Sequence, residues 1–471
     1  MLSRLLLFSL LLLTACNPFV PIPAKQPQLP ESYRHSAQPD SSQLPERWWE
    51  TFGDPQLNHL QQEMLTSNLD LRQSLHRLEQ LEALRKASGA SLWPTVSLNA
   101  SAKRDRAPAA TGSSTTDSYR ASLAAGYEID LWNRLHDKEQ ASELRLQAGE
   151  KEAQTLLLSL TAQLTENYFQ ALEKRGQVAL IEEQIERNQQ LLESAADRYR
   201  AGLATAEELY QARNNLAAQQ ARLPQLQTAL NLSEQEIALL LGRKTGAELT
   251  TRPSLPQLSS LVDVGLPASL LQNRPDIAAA FLQLQAADHE LAAALADRLP
   301  AINMTASLGH SAAKLASGDI EGSFWNLAAS LTQPLFDGGR RQAEVERQHA
   351  IRNEQLAKVQ QTLLKAVQEV ETALVADQNN ARRSNQLMQQ RRSSDRSLVL
   401  SRDNYRSGLT SSSALLAAEI QHLTLLSQQL SSHREWLNSR ITLARALGGQ
   451  WMSTELSKLQ QALTKAEDKP L

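Results

Sequence analysis

A duplication restricts the fold of this chain more than any other feature. "YRAGLAT" at 199–205 and "YRSGLTS" at 405–411 are nearly the same seven letters, and Tyr199 and Tyr405 lie 206 positions apart. The same offset separates Asp70 from Asp276, Pro94 from Pro300, Arg134 from Arg340 and Gly242 from Gly448. Matches that keep their order along both halves mean an internal repeat, and two copies are too few for a solenoid. The 471 residues are therefore one structural unit used twice rather than three average domains.

Each unit reads mostly as helix. From about Asn133 to Tyr199 runs a stretch without proline, roughly 65 residues or 100 Å long at 1.5 Å per residue. Leu157, Leu164, Ala171, Val178, Ile185, Leu192 and Tyr199 fall at strict sevens. Leu160, Ile181 and Ala195 supply part of a second line, which Asn167, Lys174 and Asn188 interrupt; together these predict a coiled-coil seam. A looser equivalent spans about Arg341 to Tyr405. Scarce aromatics (4%) and 41% apolar residues fit long helices. Another helix is predicted from about Thr205 to Leu241, and again from about Ser411 to Leu447. The glycines at 202 and 408 supply the positive φ that ends a helix, and Thr205 and Ser411 can cap the next one. Glu208, three residues after Thr205, predicts a capping box. The repeated motif is thus the tip of a helical hairpin, made twice, with Leu203 and Leu409 exposed at the turn. Upstream, a single helix is predicted from about Asn58 to Ser91, ended by Pro94, with Trp48 and Trp49 as packing anchors.

After Pro94 the period becomes two. Val96, Leu98, Ala100 and Ala102 alternate with small polar residues, and Tyr119, Ala121, Leu123, Ala125, Tyr127 and Ile129 do the same after a polar loop, "RAPAATGSSTTDS". Ile302 to Leu308 and Trp325 to Leu331 repeat the pattern in the second half. This fits strands between lipid and water. It also fits a soluble hairpin with one wet face, which periodicity alone does not separate from the first.

The N-terminus, "MLSRLLLFSLLLLTACNPF", reads as a secretory signal whose apolar run is too short to span a bilayer. Cys16, the only cysteine, stands where the signal ends, and "LTAC" resembles the lipobox of bacterial lipoproteins. The resemblance implies cleavage before Cys16, acylation of its sulfur and, with Asn17 following, sorting to the outer membrane. A proline-bearing tether follows. Apart from the signal, no segment has 18 consecutive apolar residues, so any membrane crossing is by strands. Four candidate strands per chain are too few, because single-chain barrels start at eight and an open edge in lipid is not tolerated. Further copies of the chain must complete the wall.

The chain resembles the TolC-like outer-membrane efflux proteins, in particular the lipoprotein subset serving resistance-nodulation-division (RND) pumps. The resemblance is carried by "LTAC", "WWETFGDPQL", "LWPTVSL", "YEIDLWNR", "YRAGLAT", "LPASLLQNRPDI", "QPLFDGGRR" and "YRSGLTS". It implies a mainly α fold with a small transmembrane β part: a homotrimeric 12-stranded β-barrel, four strands per chain, continuing into a long coiled-coil α-helical barrel in the periplasm. It implies a passive exit duct for drugs or other toxic small molecules, with a periplasmic membrane-fusion adaptor, an inner-membrane RND pump and outer-membrane lipid as partners. Adaptor docking is carried over to the tips, Gly202, Leu203, Ala204 and Thr205 in the first repeat and Gly408, Leu409, Thr410 and Ser411 in the second. Candidates for the periplasmic gate are Glu207, Glu208, Arg402 and Tyr405. Where relatives carry "LLDAQ" this chain has "LLAAE", so Ala417 replaces an aspartate of the pore.

By the repeat and the motifs, the chain divides into a signal peptide (1–15), an acylated tether (16–55), repeat one (56–242), a linker (243–262), repeat two (263–449) and a tail (450–471). A duct for protein secretion and a periplasmic coiled-coil scaffold are the alternative functions. No catalytic, metal-binding or nucleotide-binding motif appears, and "FDGGRR" reads as a strand-to-helix turn. The expected cofactor list is empty except for covalent lipid on Cys16. A net charge of −3 gives no case for nucleic acid.

Overall fold

A computed structural model of the chain describes residues 47–109, 112–244, 254–257, 273–315, 318–449 and 451–467. The signal and residues 16–46 of the tether, Cys16 included, lie outside the described residues. After a 3-10 turn at Trp48–Phe52 come α1 (Pro55–Ser67), α2 (Leu69–Ala90), β1 (Thr95–Ala109), β2 (Gly112–Ile129), α3 (Arg134–Arg200) and α4 (Ala206–Leu240). The second half gives α5 (Pro275–Ala296), β3 (Ala301–Leu315), β4 (Gly318–Thr332), α6 (Arg340–Arg406) and α7 (Ser412–Leu447), followed by α8 (Trp451–Glu467). The offset seen in the sequence governs the element boundaries. Both ends of α2, β1 and α3 recur 206 positions later as the ends of α5, β3 and α6, and α3 and α6 are each 67 residues long.

The chain divides into two compact units, one built on Arg77–Glu150 and Ala278–Gln361 and the other on Lys151–Ile277, Thr362–Leu471 and Gln28–His76. The first holds the sheet, an antiparallel meander in the order β1-β2-β3-β4. Its register aligns Leu98, Leu123, Leu308 and Trp325 in one row across all four strands. These side chains are 75, 47, 61 and 81% exposed, so the apolar face covers no core within the chain. The opposite face carries Ser97, Asn99, Ser122, Asn303, Ser307 and Asn326. Strands that alternate in this way separate lipid from water.

The second unit holds the largest apolar core. Trp48, Trp49 and Phe52 pack with Tyr168 and Phe169 of α3 and Trp451 of α8. Trp49 meets Trp451 edge-on at 5.1 Å and Phe52 meets Phe169 at 5.0 Å, the arrangement aromatic quadrupoles favour. The repeat also builds the same joint twice here. Gly242 and Gly448 end their helices at φ of 65° and 73°. A Cβ at Gly242 would lie 2.7 Å from the Ser67 carbonyl oxygen, and one at Gly448 would lie 2.3 Å from that of Asn273. The matched glycines recur because backbone passes against backbone at both places.

Three expectations are corrected. The single helix over Asn58 to Ser91 is two helices. Asn68 leaves helical geometry at ψ 129°, gives its side-chain amide to the Leu240 carbonyl at 2.8 Å and caps α2 by accepting from Leu71 N–H at 2.9 Å. The polar loop "RAPAATGSSTTDS" is largely strand: β1 and β2 stay paired from Arg106 with Thr115 to Ala109 with Gly112. Ladder hydrogen bonds do not need apolar side chains, and β1 is an edge of the single-chain sheet, where Pro108 is tolerated. The seam along α3 also changes line. Leu157, Leu164 and Ala171 are buried, but beyond Glu173 the buried positions of α3 are Ile181, Gln184 and Asn188, and Tyr199 is exposed. A helix of 3.6 residues per turn drifts by about 20° per heptad against a strict repeat of seven, so one line hands over to the other.

Candidate functional site

The two tips are built alike. In the first, Leu203 N–H donates to the Arg198 carbonyl at 2.8 Å and Gly202 N–H to that of Tyr199 at 3.0 Å. In the second, Leu409 N–H reaches the Asn404 carbonyl at 2.8 Å and Gly408 N–H that of Tyr405 at 3.0 Å. This paired closure ends a helix on a left-handed residue, and both glycines have it, with φ of 73° and 72°. Thr205 Oγ1 then accepts from Glu208 N–H at 3.2 Å and Ser411 Oγ from Ala414 N–H at 3.3 Å, starting α4 and α7. A Cβ at either tip glycine would meet nothing within 4 Å, and Leu203 and Leu409 stand 70 and 76% exposed. Ala204 and Thr410 are half-buried beside them.

Above the turns, the gate candidates divide. Tyr405 and Glu208 line one small cavity with Arg198 and Asn188. Arg198 donates to the Tyr405 hydroxyl at 2.8 Å, lies over its ring at 5.6 Å and also reaches the Leu203 carbonyl at 3.4 Å. One guanidinium therefore ties the first tip to the helix entering the second. Arg402 instead joins α6 to α7, through Nε and Nη2 to Glu419 Oε1 at 3.2 and 3.1 Å. Glu207 stays exposed on the first turn of α4. The capping-box residue Glu208 thus lends its backbone to the cap, while the residue itself lines the cavity. Ala417 is exposed, and the buried acid of "LLAAE" is Glu419.

Arg198 and Glu419 were not among the residues singled out by sequence. Arg198 falls three residues after Ala195, beside the seam, but an arginine at that spacing more often faces water. Nearby, His422 sits 3.3 Å from Ser394 Oγ and 3.6 Å from an Asp395 oxygen, and burial holds its pKa below 6.5. A cavity of about 200 Å³ opens between α3, α4 and α7, its walls shared between apolar side chains such as Ile181, Leu226 and Leu423 and polar ones such as Asn188, Gln219 and Glu419. "FDGGRR" is a turn: Asp337 accepts from Gly339 N–H at 3.1 Å and Arg341 N–H at 3.3 Å, which caps α6. Among the described residues no group of His, Cys, Asp and Glu could hold a metal ion, and no helix is long and apolar enough to cross a membrane.

The family model for the outer membrane efflux protein matches residues 60–243 and again 266–449. The chain belongs to the outer membrane efflux protein family. Relatives of the family include the pyoverdine export outer membrane protein OpmQ of Pseudomonas aeruginosa, 30% identical over 90% of this chain and 92% of that protein. The toluene efflux pump outer membrane protein TtgC of Pseudomonas putida is 29% identical over 95% of this chain and 93% of its own length. Among solved structures, the outer-membrane channel OprN superposes with a TM-score of 0.84 at 27% identity, covering 93% of this chain and all of OprN. The fold is that of the TolC-like channels, and the protein is an efflux channel of the outer membrane. The sheet, with its exposed apolar face, is the part suited to lipid.

Proposed function

We propose that three copies of this chain close one β-barrel, and that the channel is the exit duct of a tripartite RND efflux pump for drugs and other toxic small molecules. The observation that carries this is the sheet: one face apolar, one polar, and two edges, β1 and β4, that a single chain leaves without partners. Exposed ladder groups cannot sit in hydrocarbon. β1 and β4 run in opposite directions, so the edge of one copy can continue the antiparallel ladder of the next. Eight strands enclose little more than their own side chains, whereas larger barrels leave an aqueous lumen, which favours three copies over two. Toluene efflux by a relative that matches almost end to end supports a small, toxic cargo.

Adaptor docking falls to the exposed leucines of the two tips, Leu203 and Leu409. The gate is the set of links just above them. Arg198 to Tyr405 ties the first hairpin to the second, Arg402 to Glu419 ties the two helices of the second, and the cavity between α3, α4 and α7 leaves their seam incompletely filled, so the helices can shear when the adaptor binds. Cys16 carries lipid that anchors the N-terminus, each buried CH₂ adding about 0.8 kcal/mol of membrane affinity. Replacing Gly202 and Gly408 by tryptophan places bulk and backbone strain at both tips. Drug resistance should be lost while the amount of assembled channel in the outer membrane is unchanged. Survival of resistance in the double variant would place docking elsewhere.

A further inference from the structure

The polar face of the sheet has its own charge pattern. Its described residues carry four charged side chains. Lys103 pairs with Asp105 at 2.7 Å, and Glu128 pairs with Arg134 at the foot of α3, also at 2.7 Å. The fourth is Arg120, in the middle of β2, which no carboxylate among the described residues pairs with. Its neighbours in register are Ser101 on β1 and Ser311 on β3.

Arg120 has one aromatic partner. Its guanidinium lies 4.9 Å from the centre of the Phe324 ring. Phe324 is on β4, so the contact bridges over β3. It can do so because β3 presents only Ser311 and Gly309 there, with Gly309 directly opposite Phe324. A Cβ at Gly309 would fall 2.3 Å from the Ala121 carbonyl oxygen and 2.7 Å from Ser122 Cβ, so no side chain fits at that point. A half-buried phenylalanine on a largely polar face is thereby explained: it is the platform on which the cation rests. An aromatic quadrupole attracts a cation but does not cancel its charge. The arrangement fixes a full positive charge against the polar wall.

We propose that Arg120, held by Phe324, is a specificity-determining residue that biases the lumen toward anions and anionic solutes such as carboxylates and phosphates. The proposal rests on the reading of this sheet as a channel wall, in which each copy contributes one such cation at the same height. Low-dielectric walls focus a field of one sign into the water between them. Its reach is about 30 Å at 0.01 M salt and about 3 Å at 1 M, so the preference belongs to low ionic strength.

The test is the reversal potential of purified channels in planar bilayers under a gradient of KCl at low concentration. Wild type and Arg120→Lys should show chloride preference, Arg120→Gln should lose it, and Arg120→Glu should shift to potassium preference. All four should converge in molar salt. Equal reversal potentials for wild type, Arg120→Gln and Arg120→Glu at low salt overturn the proposal while leaving the channel reading intact. Absence of current from the wild type overturns the channel reading and the proposal with it. Placement is checked separately in intact cells: Arg120→Cys should react with a membrane-impermeant thiol reagent and Ala121→Cys should not, and the reverse pattern overturns the proposal.

Discussion

Ala306→Arg and Ser307→Arg place the same cation at adjacent positions of the inner strand β3, on opposite faces of the sheet. Ala306 shares its row with Val96, Ala125 and Leu327 on the apolar face, and Ser307 lies between Ala124 and Asn326 on the other. The apolar face runs on β2 from Tyr119 to Ile129, opposite Ala312 to Ile302 on β3, where only His310, paired with Glu321 at 3.0 Å, interrupts it; two residues further, Arg104, Asp117, Lys314 and Asp319 form a charged row. The ten steps from Ile302 to Ala312 cover about 34 Å of strand. A tilt of about 40° reduces this to about 26 Å, close to the height of a barrel's apolar belt. Ala306 therefore lies near the middle of the bilayer, where an arginine facing lipid costs about 2–4 kcal/mol. At tenfold for each 1.4 kcal/mol, that is about 30- to 700-fold in the folding equilibrium of each chain. Ser307→Arg faces water and should stay within about 0.5 kcal/mol of wild type. Denaturant titration of channel refolded into lipid vesicles reads both values. Equal costs at the two positions, or a larger cost at Ser307, would refute the assignment of the faces.

Two further outcomes follow from buried groups among the helices. Asp377 and Arg440 form a buried ion pair at 2.5 Å, with side chains only 4 and 5% exposed, and burial raises the Asp377 pKa. Asp377→Ala strands the Arg440 cation and should cost about 3–5 kcal/mol, whereas replacing both by apolar residues of similar volume should be near neutral; thermal unfolding distinguishes the two. His422 is held below its ordinary pKa of 6.5 by burial, against the pull of Asp395 and with Arg391, Arg187 and Arg402 adding to the depression. The unfolded chain then binds the proton more readily, so stability is full above pH 6.5 and falls as the pH drops from 6.5 toward the folded value. Unfolding followed from pH 7.5 to 5 should show this slope, and His422→Gln should remove it.

Much of the fold was legible because it is written twice. A single offset of 206 placed the tips, the strand starts and both long helices, since chain geometry repeats with the elements. Face assignment in the strands was legible from a period of two. The break at Asn68 was not, because its cause is a tertiary bond to the Leu240 carbonyl rather than a local breaker. Strand length was underestimated because pairing beyond the apolar belt leaves no hydrophobic signal. Above the tips, Tyr405 and Glu208 could be placed by motif, but Arg198 and Glu419 could not. An arginine on a helix face usually points to water, and only the meeting of two hairpins turns it inward. Arg120 stayed hidden for a related reason, since its partner Phe324 is two strands away and the register that joins them is absent from either segment alone.

The most direct test of the central claim is the protein mass of the detergent-solubilised channel, measured by light scattering with the detergent contribution removed. The chain, 52.1 kDa over its full sequence, should appear as three copies in one particle, each supplying a third of the wall. A particle holding a single chain would leave both sheet edges bare in lipid, and the channel described above could not exist.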